Sequence, residues 1–172
     1  MKKLLLIAAV LLVAGCSSLR QSPEQKRAEQ KRAEQERIAA LVAERLDARR
    51  FRIQIDYMLP LRGRGRAITD SYSLTVDGNK VNSYLPYFGT AYSVPYGGGE
   101  GLVFEDDIDS YAEDRSRPDR RIIQFSTNNG EDLLVYTLTV FDTGTADIHV
   151  NCRNRDDISY RGTLNPDAYP KD

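Results

Sequence analysis

Hydrophobic positions divide the chain into three parts with different periods. An apolar run of about ten residues, 4–13, comes first and is followed by a strongly charged stretch. Between Ile38 and Leu46 the apolar residues recur every three or four positions, which is the spacing of one helix face. From Phe51 onward apolar and polar residues alternate, as on half-buried strands. The pattern predicts a leader, a helix and a β domain.

The predicted helix covers residues 23–49. Ser22, Pro23 and Gln25 give a hydroxyl cap, a proline at the first helical position and a glutamine at the third, which together form a capping box. Residues 25–40 echo the pentapeptide QKRAE, and their first half carries alanine as its only apolar residue type. This half is expected to stand in solvent as a spacer. Pairing with a partner helix in a coiled coil is less favoured, because no sustained heptad is present.

Short alternating segments predict a mainly β domain over residues 50–165. Phe51, Ile53, Ile55, Tyr57 and Leu59 are expected on one face of the first strand, and Asp77-Gly78 predicts a hairpin. The polar stretch 106–119 is expected to separate strands, whereas the last third of the domain has the pattern of a meander. The fold class is therefore an antiparallel β-sandwich or small β-barrel of seven to nine strands, preceded by one long α-helix and followed by a tail at 166–172.

The leader ends at a cysteine. Lys2 and Lys3 precede the apolar run, which is too short for a membrane span of about 20 residues, and Val13-Ala14-Gly15-Cys16 follows it. These four residues resemble a bacterial lipobox. The expectation is a signal peptide at 1–15, lipidation of Cys16 and a tether at 16–22. A plain secretory leader is the alternative.

The residues after Cys16 indicate where such a lipoprotein would reside. Ser17 stands where aspartate retains lipoproteins on the inner membrane of enteric bacteria, and no acidic cluster follows. The expected location is the outer membrane, facing the periplasm, with the lipidated cysteine as the membrane contact.

Composition excludes several kinds of function. The chain has a net charge of −1 and a single histidine, so it lacks both the basic excess of nucleic-acid-binding proteins and the residues of a multi-histidine metal site. No cofactor, metal or nucleic-acid partner is expected. Cys152 is predicted to be an inert thiol facing the core, with His149 on the opposite face of the same strand.

The strongest candidate for a binding surface is the segment 85–101. It combines Tyr87, Phe88, Tyr92 and Tyr96 with two prolines and five glycines, which suggests a shaped loop that presents aromatic rings. The segment 62–66 adds three arginines, which are able to contact phosphate or carboxylate groups of envelope polymers. The candidate surface therefore consists of these rings with Arg62, Arg64 and Arg66, and the partner is an envelope polymer or protein. The alternative is architectural, with prolines and glycines turning the chain between sheets.

Other chemistry in the sequence is less specific. The carboxylates of Asp56, Glu100, Asp106 and Asp107 raise the alternative of an envelope hydrolase acting on a polymer, which needs two of them within about 10 Å in one cleft. The acidic segment 105–109 lacks the spacing and central glycine of an EF-hand. A purely structural lipoprotein is a third possibility, and the residues favour a non-catalytic role over an enzyme.

Several segments of the chain together resemble an uncharacterised lipoprotein family. They are Arg50-Phe51, Asp56-Tyr57, Pro60-Leu61-Arg62-Gly63, the run 85–101 and Ile158-Ser159-Tyr160-Arg161-Gly162. The family is the domain of unknown function DUF4251, and the resemblance runs from about Arg49 to Leu164. It implies a compact, mainly β periplasmic domain without an established activity, and it assigns no catalytic residue.

Overall fold

The computed structural model of the chain describes residues 22–92 and 102–166. One helix, α1, spans Pro23–Asp47. The strands in chain order are β1 (Arg50–Pro60), β2 (Arg66–Ala67), β3 (Ser73–Asp77), β4 (Lys80–Leu85), β5 (Leu102–Asp107), β6 (Ser110–Asp114), β7 (Arg120–Asn128), β8 (Leu133–Phe141), β9 (Thr145–Cys152) and β10 (Ile158–Leu164). Within the described ranges, no helix has the length and apolar character needed to cross a membrane.

The chain divides into two compact units, residues 1–34 and 35–172. In the first unit, the capping box predicted from the sequence is present. The Ser22 hydroxyl accepts a hydrogen bond from the Gln25 amide at 3.2 Å, and the Ser22 amide donates to Gln25 Oε1 at 2.9 Å. The helix begins where these bonds satisfy amides that have no partner inside it.

In the second unit, all of the strands belong to one antiparallel sheet. Its order is β5-β4-β3-β1-β10-β9-β8-β7-β6, and β2 pairs with β1 beside this path. The sheet curls into a half-barrel, and a hydrogen bond from Thr127 Oγ1 to the Asp107 carbonyl at 2.9 Å links the β7 and β5 sides. The predicted fold class, mainly β behind a single N-terminal helix, is confirmed.

The concave face of the half-barrel holds the core. Alternate residues of the strands point inward, and side chains such as Phe51, Phe125 and Tyr136 are fully buried. From α1, Val42 and Leu46 join this core, with 3% and 1% of their surface exposed. The apolar stripe predicted for the second half of the helix therefore covers the sheet as expected.

A β-bulge in β1 changes which side chains face inward. The register with β10 shifts between Ile55 and Tyr57, so one additional residue lies on β1. Met58 is buried as a result, whereas Tyr57 and Leu59 are 40% and 50% exposed. The expectation that Tyr57 and Leu59 continue the buried face of Phe51 was wrong, because strict alternation fails across a bulge.

The polar stretch 106–119 also differs from the sequence expectation. β5 continues to Asp107, and β6 occupies Ser110–Asp114 as an edge strand paired with β7. Edge strands tolerate charged side chains because one side of the strand stays in water, so a strand with few apolar residues was not recognised.

The two ends of the half-barrel are different. The second half of α1 lies at the end where β8 finishes, and Ala39, Val42 and Leu46 line a groove there with Val140 and Phe141. β1 and β4 run from this end to the opposite one, where Pro60 and Leu85 are their last residues. The chain thus enters the β domain at one end, and the loops after β1 and β4 are at the other.

Candidate functional site

The predicted site residues meet at the end of the half-barrel opposite α1. Three segments come together there, namely residues 61–66 after β1, residues 86–92 after β4 and residues 153–157 between β9 and β10. We call the exposed face of Arg62, Arg64, Arg66, Phe88 and Tyr92 the rim surface.

A buried ion pair shapes the turn beneath the rim surface. The Asp132 carboxylate, in a residue 2% exposed, accepts hydrogen bonds from the backbone amides of Arg153 and Asn154 at 3.0 Å and from Arg155 Nε at 3.1 Å. Arg155 is itself only 7% exposed. Three donors and a counter-charge compensate the desolvation of this carboxylate, so the turn 153–157 has a fixed shape.

The loop 86–92 is fastened to this turn along its length. Ala91 forms a β-bridge with Arg155, the Tyr92 amide donates to the Asn154 carbonyl at 2.8 Å and the Asp156 amide donates to the Thr90 carbonyl at 2.9 Å. At the start of the loop, the Tyr160 hydroxyl donates to the Pro86 carbonyl at 2.7 Å. Hydrogen bonds between backbone groups hold the loop, which leaves its side chains available for other contacts.

Tyr87 is the side chain of this loop that packs inward. Its hydroxyl donates to the Asp156 carbonyl at 3.0 Å, and its ring faces the Arg155 guanidinium at 5.3 Å. Burial raises the pKa of Tyr87 to about 12. A Cβ atom at Gly89 would lie 2.8 Å from the Tyr87 Cζ atom, so the glycine is required for the ring to reach this position. Tyr87 therefore supports the loop.

Tyr92 lies at the surface with its polar tip held in place. Its hydroxyl donates to Asp156 Oδ1, and the other oxygen of the carboxylate accepts from the Thr90 amide at 3.2 Å. The hydrogen bond from Tyr92 lowers the pKa of Asp156, and the same bond raises the pKa of Tyr92. Tyr92 is 65% exposed, although its amide and its hydroxyl are both hydrogen-bonded to the turn.

Phe88 and the arginines complete the rim surface. The Arg66 guanidinium lies 4.0 Å from the centre of the Phe88 ring, in a cation–π arrangement, and Phe88 remains 52% exposed. Arg62 lies near enough to the other ring for its positive charge to lower the pKa values of both Asp156 and Tyr92. Arg64 is exposed on the same segment. Among the described residues these three arginines form no ion pair.

The structure therefore unites most of the predicted surface. Phe88, Tyr92, Arg62 and Arg66 lie together, whereas Tyr87 is half-buried and acts from below. Tyr96 lies outside the described residues. Asp132 and Asp156 were not recognised from the sequence, because the polar segments that contain them, 128–132 and 153–157, are typical of any turn.

Cys152 and His149 are on opposite faces of β9, as predicted. The Cys152 thiol is free and half-buried, and desolvation raises its pKa to about 12, so thiolate is scarce at neutral pH. His149 Nδ1 lies 2.9 Å from the Ser159 hydroxyl on the outer face. The described parts of the chain contain no group of three or more His, Cys, Asp or Glu placed to hold a metal ion.

A shallow groove of about 290 Å³ lies on the outer face. The bulge in β1 places Tyr57 and Leu59 in it, beside His149 and Arg161. Arg161 donates to Asp147 at 3.0 Å. Its charge is thus compensated locally, unlike those of the rim arginines.

Comparison with known proteins identifies relatives by sequence profile and by structure. The profile of DUF4251, a domain of unknown function, matches residues 30–164. A crystal structure of a DUF4251 family protein from Bacteroides eggerthii DSM 20697 is similar with a TM-score of 0.56 and 14% sequence identity, over 74% of this chain and 86% of that chain. At this identity the likeness shows the fold alone. No curated protein matches the chain.

The resemblance noted in the sequence is therefore confirmed by two comparisons, one with the family profile over most of the chain and one with a solved fold. The chain belongs to the DUF4251 family.

Proposed function

We propose that the protein is a non-catalytic recognition module, anchored in the outer membrane and facing the periplasm, that binds an envelope polymer or protein through the rim surface. One observation carries this proposal. Two aromatic residues with more than half of their surface exposed, Phe88 and Tyr92, stand close to Arg66 and Arg62, which have no ion pair among the described residues. Exposed aromatic groups and arginine are the residues most enriched at recognition surfaces.

The rigid support of the rim surface is consistent with recognition. The Tyr92 ring, which is held by the turn 153–157, loses little conformational entropy on binding, and preorganisation of this kind increases affinity. An architectural plug would bury its rings, as Tyr87 is partly buried. The exposure of Phe88 and Tyr92 supports a contact role for them instead.

Membrane anchoring is proposed from Cys16, which lies outside the described residues. The apolar run and the small residues before the cysteine support lipidation. The test is metabolic labelling with an acyl probe. Labelling and membrane recovery should be lost in the Cys16→Ser variant, and retained labelling would exclude the lipobox.

The hydrolase alternative receives no support from the described residues. Asp106 and Asp107 are consecutive residues of β5, so their side chains point to opposite faces of the sheet and not into one cleft. Asp56 is on β1, with β3 and β4 between it and Asp106. Three strand spacings of about 4.8 Å separate such positions by roughly 14 Å, which exceeds the distance that paired carboxylates need. Glu100 lies outside the described residues.

The binding role is tested with the full chain purified from membranes in mild detergent. Immobilised protein is incubated with envelope extract, and retained polysaccharide and protein are quantified. The Phe88→Ala/Tyr92→Ala variant should retain much less of the same component. Tyr84→Ala is the matched control, because Tyr84 is also exposed, at 46%, but lies on β4 and stacks on Tyr72. Equal retention by all three proteins would refute the proposal.

A further inference from the structure

The rim surface carries positive charge that the rest of the domain does not compensate. Several other arginines of the domain are paired with carboxylates, as in Arg121 with Glu113 at 3.1 Å and Arg161 with Asp147 at 3.0 Å. Arg62, Arg64 and Arg66 have no such ion pair among the described residues, although the whole chain is slightly acidic. The Asp156 carboxylate, on which the charge of Arg62 acts, already accepts hydrogen bonds from Tyr92 and Thr90.

Building on the proposed function, we infer that the ligand of the rim surface is an anionic polysaccharide, whose sugar rings stack on Phe88 and Tyr92 and whose carboxylate or phosphate groups bind Arg62 and Arg66. Guanidinium groups contact these anions through two parallel N–H donors. Each exposed ring has an arginine near it, Arg66 at Phe88 and Arg62 near Tyr92, which matches a polymer that presents a ring and a charge in every repeat.

The orientation of the rings favours a polysaccharide over a lipid bilayer. One face of Phe88 is covered by Arg66, and Tyr92 is bonded to the turn through both its amide and its hydroxyl. Binding to a bilayer needs apolar groups inserted about 5–10 Å into the interface, which requires rings that project freely. An exposed ring that is held in place in this way is suited to stacking on a sugar ring.

The experiment measures binding of the full chain to hexagalacturonate, to its fully methyl-esterified form and to a phosphomannan, by calorimetry in mild detergent. The ester keeps the sugar rings and removes the charge. We expect at least one anionic polymer to bind, and the ester to bind at least tenfold more weakly than hexagalacturonate. Binding of the anionic polymer should also weaken as the salt concentration is raised. Preference between the two anionic polymers shows whether carboxylate or phosphate is the group recognised.

Variants assign the binding to individual side chains. Arg62→Gln and Arg66→Gln should each weaken binding roughly tenfold, the scale of one charge-assisted hydrogen bond. Arg161→Gln is the matched control, since it also removes an exposed arginine but on the outer face, and binding should not change. Circular dichroism of each variant confirms that the domain is folded.

Three results would overturn the inference. Equal binding of the ester would show that the rim surface binds sugar rings without recognising their charge. Failure of both anionic polymers to bind would exclude an anionic polysaccharide as the ligand. Stronger binding to vesicles containing phosphatidylglycerol, lost in Phe88→Ala, would assign the surface to a membrane. The envelope pull-down does not depend on the choice of probe, so failure of this inference and failure of the proposed function are distinguishable.

Discussion

Replacement of Asp132 by asparagine should destabilise the protein more than most single substitutions in its turns. The side chain of Asp132 is fully buried and that of Arg155 is 7% exposed, so neither group is well solvated in the native state. An asparagine side chain has nearly the same shape and would still accept bonds from the backbone amides, but it would leave the Arg155 guanidinium without a full counter-charge. The remaining carboxylate, Glu131, is 3.8 Å from Arg155.

The expected cost follows from this burial. Removing one partner of a buried ion pair costs about 3–5 kcal/mol, because the charge that remains is still desolvated. Glu131, near Arg155, places the expected cost at the lower end of that range. Replacing Arg155 by methionine as well removes that charge, so the double variant should lose less free energy of unfolding than the sum of the single variants, by at least about 1 kcal/mol.

Urea denaturation followed by circular dichroism measures these free energies. The unfolding curve of Asp132→Asn should move to lower urea with an unchanged slope. Asp147→Asn is the matched control, because it disrupts an ion pair in which both side chains are about half exposed, and its curve should coincide with the wild type. A loss below about 1 kcal/mol for Asp132→Asn, or strict additivity in the double variant, would refute the role assigned to the buried pair.

Four further outcomes are expected. Gly162→Ala should unfold at clearly lower urea, since its Cβ would collide with the Gln54 carbonyl oxygen on β1, and an unchanged midpoint would contradict the register. Asp156→Asn should lower the pKa of Tyr92, measured by NMR of ¹³Cζ-labelled tyrosine, because the negative charge that strengthens this hydrogen bond and raises the pKa is removed. In the wild-type protein the pKa of Asp156 is below its ordinary value of 3.8, so its contribution to stability should be complete above pH 3.8. This contribution should be lost as the pH falls through the pKa of Asp156 in the folded protein, and acid titration of the same tyrosine signal follows the protonation of Asp156. Iodoacetamide should modify Cys152 far more slowly in the native protein than in urea, as its pKa is about 12.

Local sequence patterns predicted the elements whose signals are strong. The capping box at Ser22 and the helix stripe around Val42 have fixed spacings, and the meander formed by β8, β9 and β10 alternates clearly. In each case the residues that decide the structure are neighbours along the chain. The mainly β class followed from these elements.

The remaining features depend on contacts between distant segments. The bulge that exposes Tyr57 is set by pairing with β10, about a hundred residues later. Likewise, Asp132 and Asp156 are ordinary polar turn residues until the fold brings them under the loop 86–92. The aromatic half of the rim surface was found because its composition is unusual, whereas its supporting carboxylates carry no such signal.

The groups that hold the rim loop in place are different from the side chains proposed to contact the ligand, whereas in many binding sites the same residues do both. The loop is held by backbone groups, by Tyr160 and by Asp156, whereas the Phe88 ring contacts the guanidinium of Arg66 and takes no part in that fastening. Exchanging Phe88 and Arg66 for other residues would leave the loop held as before. The half-barrel is thus a scaffold on which ligand preference can be altered, in evolution or by design, without first rebuilding the loop that presents it.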